Sequence, residues 1–240
     1  MQLNPTKLGK KSHWDDVYEE EKTNFEEFGD EGEIWFGQDA VDKMVEWALE
    51  NIPPSSNPMV LDIGTGNGIL PVCLAEAGYV PASICGIDYS RASVELAQRV
   101  ALGRSVQGLT FREVDFIHGK VGSMADPTTG NETDTWDLLL DKGTFDAMAL
   151  YSSNDEAPGK LDDGNNHPTN IYPSRVAQLL KPGGYFLITS CNFTEKEIIT
   201  HFTEKETSLK YHSRIAHPQF TFGGKSGSAC CTVAFRKVIN

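Results

Sequence analysis

Five short apolar runs divide the chain, and between them the apolar residues change spacing. Met59 to Ile63, Ser83 to Ile87, Trp136 to Leu140 and Tyr185 to Ser190 are mostly hydrophobic and of strand length, and Leu109 to Val114, half hydrophobic, is of the same length. Runs without regular polar alternation predict strands buried on both faces, as in a parallel sheet. Val41, Met44, Val45, Ala48 and Leu49 instead follow the i, i+3, i+4, i+7, i+8 spacing of a helix with one apolar face, which predicts core. Ile69 to Ala77 predicts a short helix closed by Gly78, with Pro71 tolerated near the first turn. Ser90 is placed to cap a helix carrying Val94, Ala97, Val100 and Ala101. A helix near Ile171 to Leu180 leads through the turn KPGG into the fifth strand, and Thr194 with Glu197 predicts a capping box. From about Leu209 to Val238 two further strands are expected, joined by the loop FTFGGKSG. Strand and helix therefore alternate. The predicted class is α/β, a doubly wound, mostly parallel seven-stranded sheet in a single domain over 1–240.

Three stretches fall outside that alternation. Residues 119–135 and 152–170 are polar, rich in turn formers and without period, and are expected to be surface loop insertions. The first 37 residues are acidic yet carry Trp14, Tyr18, Phe25, Phe28, Trp35 and Phe36. So many aromatics are costly to leave in water, so the segment is expected to lie over something. Packing against the domain and forming a lid over a site are both open.

Chemistry enters directly after the first strand, where Gly64, Gly66 and Gly68 alternate in LDIGTGNG. Glycine lets a backbone turn sharply and approach a ligand. A dinucleotide fingerprint has the spacing G-x-G-x-x-G, and here the spacing is one residue shorter. Asp62, two places before the first glycine, would repel a pyrophosphate and could hold an ammonium. Four successive predicted strands carry an acid at or near the carboxyl end: Asp62, Asp88, Asp115 and Asp141. Ligands of open parallel sheets bind beyond those ends, where the strand order reverses.

The run MVLDIGTGNG resembles the first motif of the class I S-adenosylmethionine-dependent methyltransferases, whose sheet is Rossmann-like. Taken together, SHWDDVYE, GEIWFG, LDIGTGNG, GIDYS, DKGTFDA, ITSCNFT and FTFGGKSG resemble the lysine methyltransferases of translation elongation factor 1-alpha, over nearly the whole chain. The resemblance implies S-adenosylmethionine as cofactor and the elongation factor as protein partner. It implies Gly64, Gly66 and Gly68 as the cofactor turn, Asp62 near the methionine ammonium and Asp88 on both ribose hydroxyls. It places Asp115 and the Phe116 amide at the adenine and Tyr89 along the adenine or ribose, and in the lid reading of the N-terminal segment Trp14 and Trp35 are walls of the cofactor site. Leu180 with KPGG is similar to a structural LxPGG segment. The implied reaction is displacement of the sulfonium methyl by a neutral lysine amine. Asp141 is the catalytic candidate, orienting the amine or the methionine end. Trp35, Phe36, Asn192 and Phe222 are candidates for a lysine channel, each equally open to simple packing. Lys142 stands open between surface and site. A link to intracellular transport attaches to the family, and nothing in the residues bears on it.

Composition narrows the partners. A formal net charge of −13 argues against gripping nucleic acid through its phosphates. The N/D-P-P-Y/F motif of nucleic-acid amino methylation is replaced by DKGT. Five cysteines form no CxxC pair and no ligand-like cluster with the six histidines, so no metal is expected and the thiols suit a reducing, cytoplasmic setting. No apolar run approaches the roughly 18 residues of a membrane span, and no leader is apparent. A monomer is expected. Another protein, a small-molecule amine, or a non-catalytic role as a cofactor-binding adaptor remain alternatives.

Overall fold

The sheet forms where the sequence is apolar without alternation, and helices cover it on both faces. The computed structural model describes residues 3–126, 128–152, 167–204, 207–222 and 225–239, with 219–222 and 225–227 described through their backbone. In chain order the elements are α1 (Lys11–Phe28), α2 (Gly37–Asn51), β1 (Val60–Ile63), α3 (Ile69–Glu76), β2 (Ile84–Asp88), α4 (Arg91–Gly103) and β3 (Thr110–Glu113). There follow β4 (Met124–Ala125), β5 (Glu132–Thr133), β6 (Trp136–Lys142), α5 (Thr144–Ala149), α6 (Pro168–Leu179), β7 (Leu180–Ser190) and α7 (Glu195–Thr203). The chain closes with β8 (Leu209–Ile215), β9 (Gln219–Phe222), β10 (Lys225–Ser228) and β11 (Cys231–Lys237).

Seven strands pair in the order β3-β2-β1-β6-β7-β11-β8, parallel except for β11, which is antiparallel to both neighbours. From β1 the chain steps outward to β2 and β3, then returns to place β6 on the other side of β1. The order reverses there, so a crevice opens beyond the ends of β1 and β6.

Side chains alternate between two cores. Leu61, Ile63, Leu139 and Phe186 pack with Phe145, Tyr172 and Phe202 on one face. Val60, Leu138, Leu140 and Leu187 pack with Val41, Met44 and Ile69 on the other. A fully buried Leu or Phe contributes about 2 kcal/mol relative to exposure, so two filled faces explain why the central strands carry no polar face, while β3 and β8 at the two edges keep polar positions.

Several expectations are corrected. Leu49 of α2 is 37% exposed, while Trp47 is 6% exposed and donates through Nε1 to Ser213 Oγ at 2.9 Å. The edge strand β8 reaches α2 on the Trp47 side, leaving Leu49 at the solvent margin. Ser90 stands at the N-cap of α4, but its hydroxyl makes no capping bond. Within 119–135 the short pair β4 and β5 forms, and Val121 and Met124 join the core. Arg112 ties that stretch to β3 by donating to the carbonyls of Val121 and Ser123 at 2.7 and 2.9 Å. Of the expected insertion at 152–170, residues 153–166 lie outside the described ones and residues 168–170 open α6. KPGG is a register shift within β7, since Trp136 faces Leu180 while Leu138 already faces Tyr185. FTFGGKSG contributes β9 and β10 of a hairpin. The capping box at Thr194 and Glu197 is present.

One helix contains an internal proline. Pro173 of α6 has no N–H to give the Thr169 carbonyl one turn back. His201 Nε2, from α7, stands 2.7 Å from that oxygen and supplies the missing donor.

The acidic N-terminal segment forms α1, an outer helix along α4. Lys22 meets Glu95 at 3.1 Å and Arg99 pairs with Glu26. Trp14 is buried, whereas Phe28, at 77% exposure, lies in solvent. Gly29 ends the helix in the left-handed conformation. Among the described residues no helix is long and apolar enough to cross a membrane.

Candidate active site

The turn from β1 into α3 needs its glycines for two reasons. Gly64, Gly66 and Gly68 have φ of 66, 56 and 76°, a left-handed region that side chains disfavour. Their space is also taken. A Cβ on Gly64 would stand 2.0 Å from Thr144 Oγ1, one on Gly66 2.9 Å from the Tyr18 hydroxyl, and one on Gly68 2.7 Å from Ala97 Cβ. The room expected for a ligand at these Cα positions is filled by the protein itself. The turn meets the cavity through Gly64, Thr65, Gly66 and Asn67, and Gly68 lies behind it.

Asp88, at the end of β2, holds the turn from the side. Its Oδ2 accepts from the Gly66 amide at 3.1 Å and its Oδ1 from the Ser90 amide at 2.9 Å. Ser93 Oγ donates to the Gly66 carbonyl at 2.8 Å. Burial raises the Asp88 pKa, and the two backbone donors oppose it. Each oxygen keeps a further acceptor site for a ligand hydroxyl.

A cavity of about 900 Å³ lies over these strand ends. Its walls include Trp14, Tyr18, Trp35, Asp88, Tyr89 and Lys142. Trp14 donates from Nε1 to the Leu8 carbonyl at 2.7 Å, and its ring stands 5.0 Å from Trp35 and 5.9 Å from Tyr18. Asn67 Nδ2 donates to the Glu31 carbonyl at 3.0 Å, clipping the link between α1 and α2 to the glycine turn. Asp115 and Phe116 also line the cavity. Asp115 is exposed and caps its own turn, its Oδ1 accepting from Ile117 N at 2.8 Å and its Oδ2 facing His118 Nδ1 at 3.0 Å.

The remaining expected residues are placed differently. Asp62 is buried under the turn and does not line the cavity; burial pushes its pKa up to about 6, with Lys142 opposing. Asp141 shares the strand parity of Leu139 and is fully buried in that core, behind the cavity wall that Thr144 forms. Its carboxylate accepts from the amides of Thr144 at 2.8 Å and Phe145 at 3.0 Å and from the Tyr172 hydroxyl. Burial pushes its pKa up to about 7, with Tyr172 opposing. Of the channel candidates, Trp35 lines the cavity and Phe36 packs on Gly143 beside it. Asn192 is exposed and outside the wall. Phe222 belongs to β9 by its backbone, and its side chain falls outside the described ones.

Sequence reasoning left Thr144, Asn67 and Ser93 unassigned, and gave Tyr18 no particular role. Tyr18 had a signal, since it follows Trp14 by four residues and so shares its helix face. The polar residues had none, because their partners are backbone groups far along the chain.

A glycine turn at the order reversal, an acid closing the next strand and the antiparallel β11 in a seven-stranded sheet give the Rossmann-like frame of a class I methyltransferase, and the family match assigns the chain to that class. The methyltransferase-domain family model matches residues 54–231. Among solved structures, the N-methyltransferase NodS of Bradyrhizobium japonicum shares the fold with a TM-score of 0.59 at 16% identity, covering 93% of this chain and 98% of that one. Protein-lysine N-methyltransferase efm4 of Schizosaccharomyces pombe is 39% identical over 98% of this chain and 95% of its own length. EEF1A lysine methyltransferase 2 of Homo sapiens is 34% identical over 98% of this chain and 88% of its own. The chain belongs to this family of protein-lysine methyltransferases.

Proposed function

We propose that the chain transfers a methyl group from S-adenosylmethionine to a lysine of translation elongation factor 1-alpha. The near full-length match to lysine methyltransferases carries the substrate. The residues present fit the cofactor: a carboxylate at Asp88 suits a ribose, Tyr89 and Phe116 offer flat apolar contact to a base, and Asp115 can accept from an exocyclic amine. When bound, S-adenosylmethionine supplies a methyl group on an electrophilic sulfonium.

The protein's part is to position and dehydrate the lysine. With a reference pKa of about 10.4, roughly 0.1% of free lysine is neutral near pH 7.4, which costs about 4 kcal/mol before any bond changes. The aromatic walls Trp14, Tyr18 and Trp35 exclude water, and desolvation lowers an amine pKa. Asp141 acts as a positioning residue: it fixes the start of α5, and with it Thr144 at the cavity wall. We read residues 1–37 as the cover of the site. Supporting this are the Asn67 clip and, at the other end, the Thr6 amide donating to the Leu150 carbonyl at 3.3 Å. Five free thiols suit a cytoplasmic setting.

The test is methyl transfer from labelled S-adenosylmethionine into a lysate of cells lacking this protein, with Asp88→Ala as the control and mass spectrometry to locate the label. Label on a lysine of the elongation factor, lost with the variant, is the expected result. Label confined to another protein or to small molecules would overturn the substrate. Cofactor binding with no label anywhere would favour an adaptor.

A further inference from the structure

The wall of the cavity at the β6 end holds an unmatched cation. Lys142 closes β6, and strand parity turns it, like Leu138 and Leu140, toward the face that carries α2. Lys142 lines the cavity, and its Nζ donates to the Trp35 carbonyl at 3.2 Å. Among the described residues no carboxylate oxygen lies within 4.0 Å of it. Burial lowers its pKa, and Asp62 and Asp141 oppose that from a greater distance. A largely dehydrated ammonium facing a neutral carbonyl is short of an anion.

The position of this cation along the cavity limits what it can meet. Asp88 and Tyr89 close β2, and β1 separates β2 from β6 in the sheet. A nucleoside held at Asp88 and Tyr89 therefore leaves its other end toward β6. On S-adenosylmethionine that end is an α-amino acid, with one ammonium and one carboxylate. Asp62 lies on the same face of the neighbouring strand, beneath the turn and outside the cavity wall, so of this pair only Lys142 is placed to touch a ligand. The other nearby cations are less suited. Lys11 is paired with Asp15 at 2.7 Å and sits 5.4 Å over the Tyr89 ring, at the nucleoside end. Lys10 lines the cavity from the N-terminal segment and is the competing candidate.

We propose that Lys142 binds the carboxylate of the cofactor's amino acid by a charge-assisted hydrogen bond while still holding the Trp35 carbonyl. This rests on the cofactor reading above. It gives Lys142 a second effect, since one ammonium then joins the ligand to the segment that walls the cavity.

The experiment is calorimetric titration of the full chain with S-adenosylmethionine, with its decarboxylated analogue, and with 5'-methylthioadenosine, which lacks the amino acid altogether. The wild type is expected to bind S-adenosylmethionine about 10- to 100-fold more tightly than the decarboxylated analogue, the range of a hydrogen bond to a charged group. Lys142→Met should abolish most of that ratio, leave 5'-methylthioadenosine unchanged, and be restored in part by Lys142→Arg. If the Met variant also loses 5'-methylthioadenosine, Lys142→Gln, which keeps a polar end against Trp35, gives the same ratio. Equal wild-type affinities overturn the proposal without any variant. An unchanged ratio in Lys142→Met overturns it too, as does a ratio lost in Lys10→Met and kept in Lys142→Met. A wild type that binds none of the three overturns the cofactor reading itself.

Discussion

Thr144 and Gly64 share one space. Thr144 Oγ1 donates to the Ile63 carbonyl at 2.7 Å and stands 2.0 Å from where a Cβ on Gly64 would be. The end of β1 is thereby locked to the start of α5, and the glycine is required by a protein contact as well as by its φ of 66°. Gly64→Ala should destabilise the fold by about 2 kcal/mol or more, from the strained φ and overpacking together. Adding Thr144→Ala should recover only part of the steric cost, since the Thr144 Cβ would still stand 2.9 Å away, and leave the conformational part, measured as a double-mutant cycle by urea unfolding.

Asp88 holds two buried backbone amides, so its removal acts on stability and on the cofactor at once. Asp88→Ala should cost roughly 2 to 4 kcal/mol by leaving the amides of Gly66 and Ser90 without an acceptor. Asp88→Asn keeps a single acceptor oxygen and should fall between. Thermal melting and cofactor titration on the same samples check both, and a variant stable as wild type would contradict the buried amide contacts.

Asp62 makes the fold sensitive to pH in the direction opposite to a salt-bridged acid. Its folded pKa, about 6, lies above the ordinary 3.8, so the folded state holds the extra proton between those values. The stability this group contributes is present below about pH 4 and is lost as pH rises through 6. Asp62→Asn should therefore gain on the wild type between pH 4.5 and 7.5 in denaturant midpoints. A difference that stays flat over that window would refute the shift.

Pro173 and His201 should be coupled. In the wild type, His201→Leu removes the donor to the Thr169 carbonyl and should cost about 1 to 3 kcal/mol. In a Pro173→Ala background the helix supplies its own N–H, and the same change should cost less. Equal costs in the two backgrounds would show that the imidazole does not replace the helical bond.

The sheet, the glycine turn and the strand-end acids were legible because unbroken apolar runs mark buried strands. The glycine spacing, together with Asp62, separated this turn from a dinucleotide site. Helix α1 was not legible as a helix, since Trp14 is its one fully buried residue and its aromatics suggested only a covering segment. β4 and β5 have two residues each, too short for a period, and the glycines of FTFGGKSG hid a hairpin. Asp141 was named as the residue orienting the amine or the methionine end by its place at a strand end. Strand parity, which puts it with Leu139, would have turned it toward Tyr172.

The glycine turn has a consequence for how the protein acquires its activity. Its three glycines are closed off by Tyr18, Ala97 and Thr144, which come from before, shortly after and far beyond the turn in the chain. Such non-local closure comes at the slow end of folding, because distant segments must dock before the contact rewards them. The cavity wall is likewise drawn from α1, through Trp14 and Tyr18, and from α5, through Thr144 and Met148, so a chain in which either helix has not docked lacks part of the wall around the site.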